Sequence, residues 1–77
     1  MTASEKVGEY YRLISRHHSA LSAGTRVRYY LNNAAAKLAS RDVTLAHAIK
    51  ARIWAGEPHG CTPEDLEALG PYLEGMP

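Results

Sequence analysis

A disulfide needs two cysteines, and this sequence has one, Cys61. Covalent stapling within the chain is excluded, and a lone thiol fits a reducing compartment. No apolar run approaches the roughly 20 residues of a membrane-spanning helix. Glu5, Lys6, Glu9 and Arg12 break up the first twenty residues, so no apolar signal segment is expected there. Together these absences predict a cytoplasmic protein with no membrane segment. The sequence also lacks the signatures of common catalytic sites: no glycine-rich phosphate loop, no GxSxG elbow and no HExxH pair. A Cys61–His59 nucleophile pair is conceivable, but no third group is placed to orient it. No enzymatic activity is expected. Alternating strand patterns, internal repeats and low-complexity stretches are missing as well, which leaves helices to build the fold.

Cations are missing from one end of the chain. Residues 55–77 carry Glu57, Glu64, Asp65, Glu67 and Glu74 and no lysine or arginine, a balance of −5. Residues 1–54 carry all nine lysines and arginines against Glu5, Glu9 and Asp42, a balance of +6. The net charge of +1 therefore hides two opposed halves. Either the acidic segment folds back onto the basic helices, or a basic face stays open to an acidic protein or nucleic acid.

The pattern that is present predicts an all-α fold: a small bundle of three helices, an antiparallel hairpin plus a third helix, with a short fourth helix at the C-terminal end. At 77 residues the chain is expected to form a single helical domain over 1–77. A core of this size rarely leaves more than about 3–5 kcal/mol of net stability. Thr2-Ala3-Ser4-Glu5 has the form of a capping box. Val7, Tyr10, Tyr11, Ile14, His17, His18 and Leu21 then recur at helical spacing, and Gly24 stands where a helix would stop. Thr25 is placed to cap a second helix with Val27, Leu31, Ala34, Ala35 and Leu38 inward. Asp42 or Thr44 would cap a third, with Leu45, Ala46, Ile49 and Ile53 on one face. Gly56-Glu57-Pro58-His59-Gly60 ends it. Thr62-Pro63-Glu64-Asp65 starts the fourth, with capping hydroxyl, first-turn proline and two acids at the positive end of the dipole. Leu66 and Leu69 point inward there, and Tyr72, Leu73 and Met76 are expected to extend the contact by a turn.

Tyr10, Tyr11, His17 and His18 are expected to border the core stripe of the first helix, ring bodies packed and polar tips wet. Adjacent histidines on a helix point about 100° apart and do not share one ion readily, and His59-Gly60-Cys61 matches no structural zinc spacing. No metal or other cofactor is expected. Tyr29 points almost opposite Leu31 and shares its face with Asn33 and Ala36, between Arg26 and Lys37. Trp54 falls on a second apolar face of the third helix, with Val43 and His47, which the C-terminal helix is expected to cover through Leu66, Leu69 or Tyr72. Where cover is incomplete, Trp54 becomes an anchor.

Two functions follow from these faces. The first is a small non-enzymatic regulator, an inhibitor or adaptor, that binds another protein through Arg26, Tyr29, Asn33, Ala36, Lys37 and Trp54. Its aromatic anchors would dock while Arg26, Arg28 and Lys37 steer toward an acidic surface. Homodimerisation through one of these faces is expected. The second is a helix-turn-helix-like DNA-binding transcriptional regulator that offers Thr44, His47, Lys50 and Arg52 to a groove and Arg26, Arg28, Lys37 and Arg41 to phosphates.

Overall fold

A computed structural model describes residues 2–73. It has four α-helices, α1 (Ala3–Ile14), α2 (Ala20–Leu38), α3 (Val43–Ile53) and α4 (Pro63–Leu69), followed by a single 3-10 turn over Gly70–Tyr72. No strand occurs among the described residues. The longest helix, α2, is central: α1, α3 and α4 all pack on it, and α4 also packs on α1.

Side-chain caps set most of the helix starts. The Thr2 hydroxyl accepts from the Glu5 amide at 3.1 Å, and the Glu5 carboxylate accepts from the Thr2 amide at 3.0 Å. This reciprocal bonding holds the Glu5 carboxyl below the usual carboxylate range. Asp42 caps α3 by accepting from Leu45 N at 3.1 Å. Thr62 and Asp65 form a second capping box at α4, behind Pro63.

The first joint departs from the sequence reading. The periodicity predicts one helix running to Leu21 and stopping at Gly24, but α1 ends at Ile14. Ser15 to His18 form a turn, closed by short-range bonds from Arg16 N to Leu13 O and from His17 N to Ile14 O. Ser19, not Thr25, then caps α2 by accepting from Ser22 N at 3.2 Å. Serine competes well for backbone donors outside a helix, and Ser15-Arg-His-His-Ser19 offers little helix propensity to resist that competition. Gly24 sits buried inside α2 with no left-handed backbone, and the Thr25 hydroxyl donates back to Leu21 O at 3.1 Å. Consequently His17 and His18 lie off the helix, and Leu21 is outside the core stripe that was expected to include it.

Inside, Val27, Leu31, Ala34, Ala35 and Leu38 of α2 meet Ala46, Ile49 and Ile53 of α3 and Val7 and Tyr10 of α1 in one cluster. Leu66 and Leu69 of α4 and Leu73 close the α1 end. Met76 and Glu74 lie outside the described residues. Each tyrosine doublet places its rings about 100° apart, so its two members differ in fate. Tyr10 and the half-buried Tyr30 stack with centroids 4.5 Å apart and planes 8° from parallel, joining α1 to α2. Tyr11 is half-buried at the edge of the core.

The acidic segment does fold back. Asp65 is buried and accepts from Arg52 Nε at 2.6 Å, from Arg52 Nη2 at 2.8 Å and from Thr62 N at 3.1 Å. The α4 start is thereby tied to the last turn of α3. The Arg52 guanidinium is the main reason the Asp65 carboxyl is held below the ordinary aspartate range. A carboxyl with a lowered folded-state pKa adds stability that is complete above the unfolded value of about 3.9 and declines as pH falls below it. Urea unfolding between pH 7 and pH 2 should therefore show an acid-side loss to which Asp65 contributes. Asp65→Asn should be less stable at pH 7 by about 1–2 kcal/mol and should lose less on acidification. An unchanged pH slope in that variant would remove Asp65 from the account.

The loop after α3 turns back on the helix end, where Gly60 N donates to Arg52 O at 2.9 Å. A Cβ on Gly60 would fall 2.5 Å from that same oxygen, so the backbone there must shift to admit any side chain. A Cβ on Gly24 would meet nothing closer than 3.5 Å. Gly60→Ala should destabilise by about 1–3 kcal/mol. Gly24→Ala should be neutral or stabilising by up to about 1 kcal/mol, since alanine favours a helix interior. Opposite shifts of the urea midpoint are the expected pair of results. A stable Gly60→Ala protein would mean the loop does not press on the helix end.

Candidate functional site

The outer face of α2 and the end of α3 meet at two aromatic rings. Tyr29 projects from α2 opposite Leu31 and is 57% exposed; Trp54, the residue after the last turn of α3, is 49% exposed. Their rings touch edge to face, with centroids 5.5 Å apart and planes at 79°. Such a contact supports both rings in a fixed orientation while leaving much of their surface to solvent. Two turns back along α2, Leu21 is 71% exposed. Leu21 and Tyr29 line a shallow, open concavity of ≈ 470 Å³ together with Ser19, Ser22, Thr25 and Arg26. On its other side Trp54 borders a second concavity of ≈ 380 Å³, formed with Arg28, Ala55, Gly56 and Glu57.

The expected cover for Trp54 is absent. Leu66 and Leu69 are buried as predicted, but α4 packs on α1 and α2 and spends its apolar face there. Val43 is 56% exposed and His47 is exposed, so the outer face of α3 stays open along its length. Besides Tyr29, Arg28 braces Trp54, its guanidinium carbon 5.5 Å from the ring centroid. Arg28 is itself buried: it donates to Pro58 O at 2.9 Å, to Glu57 Oε2 at 3.2 Å and to Thr25 Oγ1 at 3.3 Å. The Glu57–Pro58 peptide is cis.

Arg26, Tyr29, Asn33, Ala36 and Lys37 are all exposed and recur at three- and four-residue intervals, so they share one side of α2. Trp54 joins the Tyr29 end of that side. Of the residues considered for DNA, Arg41, Thr44 and His47 are exposed and Lys50 is half-buried, while Arg28 and Arg52 are committed to Glu57 and Asp65. Thr44 and His47 line, with Val43, a concavity of ≈ 300 Å³ on α3. Leu21 was missed because the first helix was expected to run through it. Only the competing cap at Ser19 could have given it away.

Elsewhere, His59 and Cys61 sit on the loop before α4. His59 Nδ1 accepts from the Cys61 amide at 3.1 Å, and burial pushes the His59 pKa down, which favours the neutral ring this bond requires. Burial pushes the Cys61 thiol up to about 11, so at neutral pH it is a protonated thiol rather than a nucleophilic thiolate. Among the described residues no three histidine, cysteine, aspartate or glutamate side chains come together to hold a metal ion, and no helix is long and apolar enough to cross a membrane.

Compared with known protein families, curated proteins and solved structures, the chain matches none.

Proposed function

We propose that this chain is a small non-enzymatic regulator that works by covering the surface of another protein, as an inhibitor or adaptor. The observation that carries the reading is the Tyr29–Trp54 pair, two large rings braced against each other at the surface rather than withdrawn into the core. Tyrosine, tryptophan and arginine are the residues most enriched where binding energy concentrates. Rigid aromatic anchors also lose little conformational freedom on docking. Leu21 enlarges the apolar part of the face, and Asn33 and Ala36 leave room for another backbone to approach α2 closely. Occlusion of a partner's working surface needs no chemistry from the chain.

The test is affinity capture from the native cell extract with and without nuclease, using the unaltered chain, Tyr29→Ala and Trp54→Ala. A protein partner should be retained after nuclease and should bind each variant at least tenfold more weakly. Both side chains are exposed, so circular dichroism should show the variants folded. Recovery of nucleic acid alone would favour the DNA reading and overturn this one.

A further inference from the structure

Resting on the reading of the α2 face as a protein-docking surface, we infer that its occupant is an acidic amphipathic helix. Such a segment carries apolar side chains at i, i+3 or i+4, and i+7, with carboxylates beside them. The first observation is charge. Between Glu9 and Asp42 the sequence has no aspartate or glutamate, so α2 has no acid anywhere along its length. Arg26 makes no ion pair among the described residues, and it lies on the rim of the Leu21–Tyr29 concavity. The first turn of α2 also lacks the acid that α1 and α4 place against their positive dipole ends. The same end adjoins Arg16 in the preceding turn. The charges that α2 itself fixes on this face are cationic, and a partner carboxylate at the Leu21–Arg26 end, away from Glu57, completes them.

The second observation is spacing. Leu21 and Tyr29 stand eight residues apart on one helix, about 12 Å along its axis. Two anchors one heptad apart on a partner helix are separated by about 10.5 Å and match that interval. The concavity between them is lined by the short side chains of Ser19, Ser22 and Thr25, which let a second helix settle between the ridges of α2.

Other occupants fit less well. A second copy meeting this face through a two-fold axis would bring the same acid-free helix against itself, with Arg26 of both copies in one contact. A phosphate backbone would leave Leu21, 71% exposed, without an apolar partner.

The deciding experiment is selection of a displayed library of random 18-residue peptides against the full chain, with counter-selection against Trp54→Ala. Sedimentation of the chain alone at high concentration accompanies it. Enriched peptides should carry apolar residues at i, i+3 or i+4, and i+7 with net negative charge. Their synthetic versions should lose at least tenfold in affinity with Tyr29→Ala, Trp54→Ala and Arg26→Glu, and should weaken with added salt. Enriched peptides that depend on Trp54 but show no acidic bias would overturn the inference and leave the docking face standing. A failure to enrich anything that depends on Tyr29 or Trp54 would overturn both. A dimer in sedimentation that Tyr29→Ala dissolves would make the occupant a second copy and would also overturn the inference.

Discussion

Leu31→Ala should cost about 2–5 kcal/mol, enough to leave much of the protein unfolded at 25 °C. Leu31 is fully buried at the middle of α2, the helix on which α1, α3 and α4 all pack. Truncation there removes contacts in several directions at once. The residues three and four positions on along α2, Ala34 and Ala35, are buried and themselves small, and have little side chain to swing into the space. The expected cost therefore sits toward the upper part of that range, because the size of the residual cavity sets the penalty. A core this small leaves only about 3–5 kcal/mol to lose. Urea unfolding followed by circular dichroism should show a much lower midpoint with a similar slope, and a sloping or absent native baseline at the upper end of the effect. A loss under about 1 kcal/mol would mean that the helices close over the gap and that the packing around Leu31 is looser than the burial implies.

Much of this architecture is legible in the sequence because helix signals are local. Thr2 with Glu5, Asp42 before Val43, and Thr62-Pro63 before Glu64 each announce a start through chemistry confined to one turn. The inward stripes of α2 and α3 follow from spacing alone, and the same spacing places Tyr29 opposite Leu31. The first joint was not legible, since its outcome depends on a contest between alternatives of similar energy. A helix continued through Ser15 to Ser19 and one broken there differ by a serine cap and a few weak propensities, and Gly24 offered a misleading stop. The environment of Trp54 was not legible for a different reason. Whether α4 returns to α3 or lies on α1 and α2 is a tertiary decision, and Leu66 and Leu69 suit either place. The ion pairs Arg28–Glu57 and Arg52–Asp65 are likewise non-local: the charge imbalance left open whether the halves would meet and through which residues.

Arg28→Ala should cost about 2–3 kcal/mol and should loosen Trp54, whereas Glu57→Gln should cost well under about 1 kcal/mol. Four interactions end on the Arg28 guanidinium, the 3.3 Å contact with the Thr25 hydroxyl being the longest of its hydrogen bonds, and their surroundings rank the other three. Glu57 is mostly exposed, so its attraction for Arg28 is screened and belongs with surface ion pairs. The approach to the half-exposed Trp54 ring is worth about 0.5–1 kcal/mol. The bond to Pro58 O at 2.9 Å is different, because a charged donor reaches a carbonyl of a half-buried loop residue. Losing it costs the loop its hold on α2. Arg28→Lys should recover little, because one ammonium cannot span the Pro58 carbonyl, the Thr25 hydroxyl and the Trp54 face together. The chain has a single tryptophan, so its fluorescence reports this corner directly. Arg28→Ala should shift the emission to longer wavelength and raise its quenching by acrylamide, while Glu57→Gln leaves both near their starting values. A peptide that docks on Tyr29 and Trp54 should then bind Arg28→Ala more weakly although Arg28 itself is largely buried, since a ring free to move must be ordered again on binding. Equal stability losses in the two variants would show instead that the ion pair, and not the carbonyl, fastens the loop.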